Sequence, residues 1–275
     1  MSWWRSAARE EPQAAFTLEK RGSARILRIL PHDGLIGTDA GEMDRLFKVL
    51  RLSYYSGFNV LLILVPPDAL APENAETLWR AIATSGEGRT VTRDAEHGHD
   101  QECCREGNAM RRFISTVLDA DTFVVCVLQG NVLFPFLGCA LACDYRVVAD
   151  DTVFVNRCLE SGLPPAGGLP WFLARLVGHG QAAQILLERE SLTAEESLEL
   201  GLVNRVVPRD DLEDHALAFV DQLAERSPSG LWAAKRMLAA AHCDLQAHLE
   251  QENQVLDVCL KRRWDSRLPD MPSLR

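Results

Sequence analysis

The chain is short of positive charge. Its 275 residues include 29 Lys and Arg against 39 Asp and Glu, so the formal net charge is −10. An acidic surface disfavours contact with phosphate backbones and anionic lipid headgroups. We therefore expect neither nucleic acid nor a membrane to be the partner, and any anionic ligand needs a local cluster of cations.

Long apolar runs and export signals are also missing. No uninterrupted apolar stretch reaches the roughly 18 residues that a membrane helix needs. The opening residues, MSWWRSAAREEPQAA, contain no apolar segment of the kind found in a secretory signal. The eight cysteines stand in a chain too long to need disulfide staples, and several lie in apolar runs as small hydrophobic side chains. We expect a reduced, cytoplasmic protein.

Hydrophobic periodicity predicts an α/β fold. Alternation from Phe16 to Leu30 indicates a β-hairpin, and helical spacing follows from Asp39 to Tyr55. Short continuous apolar runs bounded by Gly or Pro are typical of parallel strands buried on both faces. Segments of helical character between these runs supply the crossovers of such a sheet. The predicted buried strands are Phe58–Val65, Thr122–Leu128, Tyr145–Ala149 and Leu202–Val207.

The last part of the chain is predicted to be helical. Thr193 to Glu196 reads as a capping box, and Gly201 stands where that helix should end. Helical periodicity then predicts three further helices. The chain is therefore expected to divide into a polar lead-in at 1–14, an α/β core at 15–208 and a helical oligomerisation region at 209–275. Their apolar stripe needs a covering surface, either the core of the same chain or another subunit. The three helices are Asp211–Ala224, Ser229–Ala241 and Asp244 to about Arg263.

The stretch from Thr122 to Pro208 carries recognisable motifs. A strand ending at Gly130 precedes the run Leu-Ala-Cys-Asp ending at Asp144, and the segment LTAEESLELGLVNRVVP ends at Pro208. In order and spacing this stretch resembles the enoyl-CoA hydratase/isomerase (crotonase) superfamily. The resemblance implies a crotonase-like ββα superhelix core followed by an all-helical C-terminal region.

The resemblance also implies a ligand and a chemistry. Family members bind an acyl thioester of coenzyme A or of a carrier protein as substrate, with no further cofactor and no metal. They stabilise its enolate with two backbone N–H groups, one at a helix N-terminus, and glutamates or an aspartate move protons. They assemble as homotrimers or hexamers. Candidate cations for coenzyme A phosphates are Arg80, Arg89, Lys235 and Lys261–Arg263.

The carboxylates that the family uses are absent from this sequence. The two hydratase glutamate positions fall on Gly138 and Cys158, and the aspartate position of other branches falls on Ala166. The central glycine of the second oxyanion loop falls on Pro135, which has no N–H to donate. A slip of one residue would offer the amide of Phe136 instead.

The remaining site positions follow from the same alignment of motifs. Ala71 is the expected donor of the first oxyanion loop. The residues expected to contact the acyl group are Leu70, Phe134, Pro135, Gly138, Pro165 and Ala166.

Two residues are candidate replacements for the lost glutamates. Cys158 is a potential nucleophile, although no histidine lies near it in sequence, which favours a buried inert thiol. Glu160 would face the same side as Cys158 if this stretch is extended, and it could then serve as the base. A solvated loop carboxylate is the alternative for Glu160.

Other polar residues carry weaker predictions. His97, His99, Cys103 and Cys104 are metal-ligand types, but their spacing matches no standard zinc pattern, and a lid over the thioester cleft is the preferred interpretation of residues 85–104. Two C-terminal histidines, His242 and His248, are expected at a surface or interface.

Two functional hypotheses remain at this stage. The first is an active family member with non-standard catalytic residues, for which two-glutamate hydration is absent or weak. The second is a non-catalytic binding or scaffolding subunit that keeps the fold. Thioester binding with or without turnover separates them.

Overall fold

The computed structural model describes residues 16–30, 45–50, 57–72, 104–160, 162 and 164–264. Residues 45–50 are helical, within the segment for which the sequence predicts a helix. The strands are β1 (Phe16–Arg21), β2 (Ala24–Ile29), β3 (Val60–Leu64), β4 (Phe123–Leu128), β5 (Asn131–Leu133), β6 (Tyr145–Ala149), β7 (Val153–Val155), β8 (Ser191–Thr193) and β9 (Arg205–Val207). The helices are α1 (Cys104–Asp119), α2 (Phe134–Leu141), α3 (Leu169–Leu176), α4 (His179–Glu188), α5 (Ala194–Glu199), α6 (Leu212–Ala224), α7 (Pro228–Ala239) and α8 (Leu245–Trp264).

The larger sheet has the order β1-β2-β3-β4-β6-β9 within the described part of the chain. β1 and β2 form the predicted antiparallel hairpin, and every later pair is parallel. The apolar strands β3, β4 and β6 are buried on both faces, which explains why their sequences are continuous apolar runs. The α/β class is confirmed.

The two faces of this sheet carry different layers. One face packs against α6 through Leu212, Ala216 and Val220. The other face holds the larger core with α2 and α3. The side chains alternate along each strand, so that Leu62 joins the first layer and Ile63 joins the second.

A second, three-stranded sheet of order β5-β7-β8 lies beyond the large one. Its last strand ends in the predicted capping box, in which the Thr193 hydroxyl accepts from the Glu196 N–H at 3.2 Å. The Glu196 carboxylate accepts in return from the Thr193 N–H at 2.9 Å. These two bonds satisfy amides that the first turn of α5 would otherwise leave without partners.

Apolar side chains of the C-terminal helix α8 are buried in the core, whereas some of those on α7 are exposed. Leu245, Leu249 and Leu256 of α8 are buried in the core of their own chain. On α7, in contrast, Met237 is 78 % exposed and Leu238 is 61 % exposed. The sequence left open whether these apolar faces are covered by the core of the same chain or by another subunit. For these leucines of α8, the covering surface is the core of the same chain.

A buried ion pair ties α7 to the sheet. Lys235 is 1 % exposed, and its Nζ lies 2.7 Å from Asp144 Oδ2. The same ammonium donates to the Val117 carbonyl at 2.8 Å, and Asp144 also accepts from the Val124 N–H at 2.7 Å. Each charge is therefore both paired and hydrogen-bonded, which is the condition under which proteins tolerate buried ions.

Removing one partner of this pair should be strongly destabilising. We expect Lys235→Met to lower the free energy of unfolding by about 3–5 kcal/mol, because Asp144 then keeps an uncompensated buried charge. The control is Arg21→Met, which breaks an exposed pair with Asp221 and should cost far less, because exposed ion pairs contribute little. Urea unfolding followed by circular dichroism measures both, and equal losses would contradict this account.

Candidate active site

Two loops meet at the start of α2. The Leu133 N–H donates to the Leu70 carbonyl at 2.9 Å, which fixes the turn at 68–71 beside the first turn of the helix. Asp68 supports the same junction, because its Oδ1 accepts from the Asn131 N–H at 2.9 Å. A Cβ on Gly130 would stand 2.6 Å from that oxygen, so only glycine allows the approach.

The two predicted oxyanion donors, Ala71 and Phe136, lie on the two segments that meet at this junction. The amide of Ala71 donates to the Asp68 carbonyl at 3.1 Å within the turn. Phe136 and Pro135 lie in the first turn of α2, where amides have no acceptor four residues earlier. Proline fits this turn without breaking a helical bond, so the helix forms and only the N–H is lost. The assignment of Ala71 and Phe136 as donors stays a prediction.

An apolar cavity of about 100 Å³ lies beside the same junction. It opens between the large sheet and α2, and its lining includes one of the predicted acyl contacts, Leu70, and one of the predicted oxyanion donors, Phe136. The other predicted contacts, namely Phe134, Pro135, Gly138, Pro165 and Ala166, are not among the described residues that line it. The described lining is Leu27, Ile29, Leu46, Phe47, Ile63, Val65, Leu70, Met110, Phe113, Cys126, Leu128, Phe136, Cys139 and Ala140.

The three positions that lack carboxylates converge on one segment. Gly138 faces Gly167, and a Cβ added to Gly138 would stand 2.3 Å from the Gly167 carbonyl oxygen. A Cβ on Gly167 would in turn stand 2.1 Å from the Pro135 carbonyl oxygen. The backbone amide of Ala166 lies near the Cys158 thiol and acts to lower the pKa of that thiol. Backbone contact between α2 and residues 166–168 therefore fills the space that a glutamate at 138 would need.

Cys158 is buried and is held as a thiol. Burial raises its pKa to about 12, the charge of Glu252 adds to this, and the Ala166 N–H only partly offsets it. A thiol with such a pKa carries almost no thiolate near neutrality, so the geometry favours the inert alternative.

Glu160 lies on the surface. Residues 158–160 form a turn rather than an extended segment, so the side chain does not share a face with Cys158 as the sequence argument required. Its Oε2 lies 2.6 Å from Arg157 Nη1, and the side chain is 56 % exposed. The structure thus does not bring Glu160 to the cavity.

A carboxylate that the sequence analysis missed contacts the 166–168 segment from α8. Glu252 accepts from the Gly167 N–H at 2.7 Å through Oε1 and from the Gly168 N–H at 2.9 Å through Oε2. Desolvation raises its pKa to about 7, although the two amides pull in the opposite direction. Its position in the sequence gave a signal, because residue 252 continues the buried stripe of Leu245, Leu249 and Leu256.

The candidate cation Lys235 is excluded from contact with coenzyme A phosphates by its burial against Asp144. The other candidate cations, and the histidines and cysteines at 97–104, lie outside the described residues or have no described side chain.

Within the described ranges no group of three or more His, Cys, Asp or Glu residues is arranged to hold a metal ion. No described helix is long and apolar enough to cross a membrane. The six cysteines whose side chains are described are free thiols.

The two C-terminal histidines pack beside α3 rather than at the cavity. The His242 ring lies 5.2 Å from the Trp171 ring, and burial followed by the charge of Arg175 lowers the pKa of His242 and of His248. Both imidazoles are half-buried in this chain.

Comparison with solved structures shows that this architecture is a known fold. An enoyl-CoA hydratase from Bacillus halodurans superposes with a TM-score of 0.74 at 20 % identity, covering 90 % of this chain and 96 % of that chain. DspI from Pseudomonas aeruginosa superposes with a TM-score of 0.67 at 20 % identity, covering 95 % of this chain and all of that chain. At such identities the likeness establishes the fold.

Sequence comparison establishes the family. The sequence model of the enoyl-CoA hydratase/isomerase family matches residues 86–263, and the chain belongs to that family. A probable enoyl-CoA hydratase of Mycobacterium tuberculosis is 28 % identical over 206 residues, which are 69 % of this chain and 72 % of the relative. The 2,3-dehydroadipyl-CoA hydratase of Escherichia coli is 36 % identical over 133 residues, 48 % of this chain and 52 % of the relative.

The contact between Gly138 and Gly167 makes a specific stability prediction. We expect Gly138→Ala to lower the free energy of unfolding by about 1–3 kcal/mol, because the new methyl group overlaps a backbone carbonyl. The control is Gly180→Ala in α4, where a Cβ meets nothing within 4 Å and should be neutral or stabilising by up to about 1 kcal/mol. Thermal unfolding measures both, and a neutral Gly138→Ala would contradict the close packing.

Proposed function

We propose that the protein binds an acyl thioester of coenzyme A or of a carrier protein, with the acyl group in the apolar cavity. The thioester carbonyl would lie at the junction of Ala71 and α2, where backbone amides stabilise the enolate. The observation that carries this proposal is the hydrogen bond from the Leu133 N–H to the Leu70 carbonyl. It places the 68–71 turn beside the α2 N-terminus at the edge of an apolar cavity, in a chain of this family.

The cavity supports an acyl group of modest size. Its described lining is apolar apart from two thiols, so it offers only weak hydrogen bonds to a polar substituent. An engineered apolar cavity of roughly 150 Å³ stays dry and binds benzene. A cavity of about 100 Å³ therefore suits an acyl chain of a few carbons, whose transfer from water is favourable for each buried methylene.

The oxyanion chemistry of this site is weakened but retained. Negative charge that develops on a thioester oxygen is stabilised at a helix N-terminus. Pro135 removes one amide of that turn, which leaves the amide of Phe136, and the Ala71 N–H, which donates to the Asp68 carbonyl within its own turn, would share its hydrogen with the thioester oxygen. Loss of one donor typically costs ~3 kcal/mol of transition-state stabilisation, so enolate formation is slower and not abolished.

Hydration of an enoyl thioester is expected to be weak. Addition of water needs a group that activates the water and a group that protonates the α-carbon. Gly138 and Ala166 carry no ionisable side chain, and Cys158 is held as a thiol by burial. Proton transfer at the α-carbon, which needs one base, is the more accessible reaction.

A non-catalytic binding subunit is the second candidate function. The observations in its favour are Pro135 in the oxyanion turn and the close contact that closes the space beside Gly138. Under this alternative the protein binds the thioester and does not exchange its α-protons.

The proposal also covers the oligomeric state and the cellular location of the protein. Family resemblance favours a homotrimer or hexamer, and the exposed Trp232, Met237 and Leu238 of α7 offer an apolar surface that subunit contact could cover. The composition favours the cytoplasm, where the thiols stay reduced.

Binding is tested with butyryl-CoA by isothermal titration calorimetry. We expect the wild type to bind butyryl-CoA more tightly than coenzyme A, because the acyl chain fills the cavity. Ala140→Leu adds three carbons to the lining and should weaken butyryl-CoA binding at least about tenfold, since burial of each methylene contributes about 0.8 kcal/mol. The control is Ala240→Leu at an exposed position.

The same preparation separates the outcomes. Crotonyl-CoA hydration, followed by loss of the enoyl absorbance, should be absent or slow in the wild type. Failure to bind any thioester would overturn the proposal, and hydration at a rate typical of efficient hydratases would overturn the account of the missing carboxylates.

A further inference from the structure

We propose that the side chain of Phe47 limits the length of the acyl chain that the apolar cavity accepts, so that the site takes short acyl thioesters and excludes longer ones. This inference rests on the proposed function, because it names the acyl class of the same site. Phe47 lies outside residues 86–263, which the family model matches, so its role is a property of this chain rather than of the matched part.

Phe47 lies on a helical segment, residues 45–50, that has one apolar face. Leu46, Phe47 and Leu50 are buried. Arg45, at the start of the segment, is exposed. Such spacing is typical of a helix that packs one side against a core. The apolar face contributes Leu46 and Phe47 to the lining of the cavity, so the packing of the segment itself holds the Phe47 ring there.

Burial distinguishes an outer and an inner part of the cavity. The described lining contains three phenylalanine side chains, Phe47, Phe113 and Phe136. Phe113 and Phe136 are only partly buried, and Phe136 belongs to the first turn of α2, where the thioester carbonyl would lie. Phe47 is 2 % exposed, and Leu27, which also lines the cavity, is 1 % exposed. An acyl chain that enters beside Phe136 therefore runs toward the most deeply buried part of the lining, which includes Phe47.

A cation holds the Phe47 ring in position. The guanidinium carbon of Arg112, on α1, lies 4.1 Å from the centroid of the Phe47 ring. This is a cation–π contact, and it occupies one face of the ring. Met110 and Phe113, which flank Arg112 in sequence, line the same cavity. Because the ring touches both the cavity and the guanidinium, it cannot turn away from an incoming acyl chain without losing the contact with Arg112.

The small size of the cavity gives this ring its effect on chain length. The cavity measures about 100 Å³, and the close packing of protein interiors resists the displacement of a buried wall. Replacing Phe47 by alanine removes a phenyl group. An engineered apolar cavity of roughly 150 Å³ holds benzene, a ring of the same size. Removal of the Phe47 ring should therefore admit an acyl chain that is several carbons longer.

The experiment compares butyryl-CoA with octanoyl-CoA by isothermal titration calorimetry. In the wild type we expect octanoyl-CoA to bind no more tightly than butyryl-CoA, because the added methylenes do not fit beside the Phe47 ring. In Phe47→Ala we expect octanoyl-CoA to gain at least about tenfold in affinity over butyryl-CoA, since burial of its additional methylenes contributes at most about two-hundredfold.

The matched control is Phe172→Ala on α3. Phe172 is 3 % exposed, like Phe47 a buried ring, but it is not among the described residues that line the cavity. We expect Phe172→Ala to lose stability as Phe47→Ala does, because each leaves a void in the core. It should keep the wild-type preference between the two thioesters.

A second variant tests the same role in the opposite direction. Phe47→Trp places a larger ring at the same position, and the cavity itself can take up the added volume. We expect butyryl-CoA to lose about fourfold or more in affinity relative to acetyl-CoA, because each methylene that the ring displaces contributes about that factor. This variant decides if Phe47→Ala does not fold.

The possible results separate the inference from the proposed function. Wild-type binding that is tighter for octanoyl-CoA than for butyryl-CoA would overturn the role of Phe47, as would an unchanged preference in Phe47→Ala. An equal shift in Phe172→Ala would also overturn it, because loss of any buried ring would then loosen the cavity. Butyryl-CoA binding by the wild type leaves the proposed function standing in each of these cases. A wild type that binds no thioester would overturn the proposed function itself.

Discussion

Backbone contact between α2 and the segment 166–168 is the constraint on which the site depends. This contact requires glycine at positions 138 and 167, because a Cβ at either position would stand within 2.3 Å of a carbonyl oxygen. Packing this close leaves no volume for a glutamate at 138, and it directs the amides of Gly167 and Gly168 toward Glu252. The same packing arrangement thus excludes a carboxylate at position 138 and brings the Glu252 carboxylate to residues 167 and 168.

The electrostatics of the site follow from that arrangement. A carboxylate without a cationic partner is costly to desolvate, and two backbone amides compensate only in part, which is why the pKa of Glu252 rises. The buried pair of Lys235 and Asp144 solves the same problem differently, with opposite charges and backbone groups together. The first environment raises the pKa of a carboxyl group, whereas the second holds two elements together.

Local patterns predicted much of the fold. The hairpin of β1 and β2, three of the four predicted buried strands and the capping box at Thr193 were found where periodicity and turn chemistry placed them, whereas the fourth predicted strand is shortened to Arg205–Val207 and its first residue is exposed. These features depend on residues close in sequence or on burial of both faces of a strand. The small sheet of β5, β7 and β8 was not predicted, because strands of three residues carry too little periodicity.

The sequence by itself determined the α/β class, the family, and the absence of carboxylates at 138, 158 and 166. Only the tertiary structure decided that Glu160 faces solvent, that Lys235 is buried and that Glu252 reaches Gly167. The physical reason is sequence distance: Glu252 is 85 residues from Gly167, and Lys235 is 91 residues from Asp144. Contacts of this range are set by how helices pack against the core, which no local pattern of residues encodes.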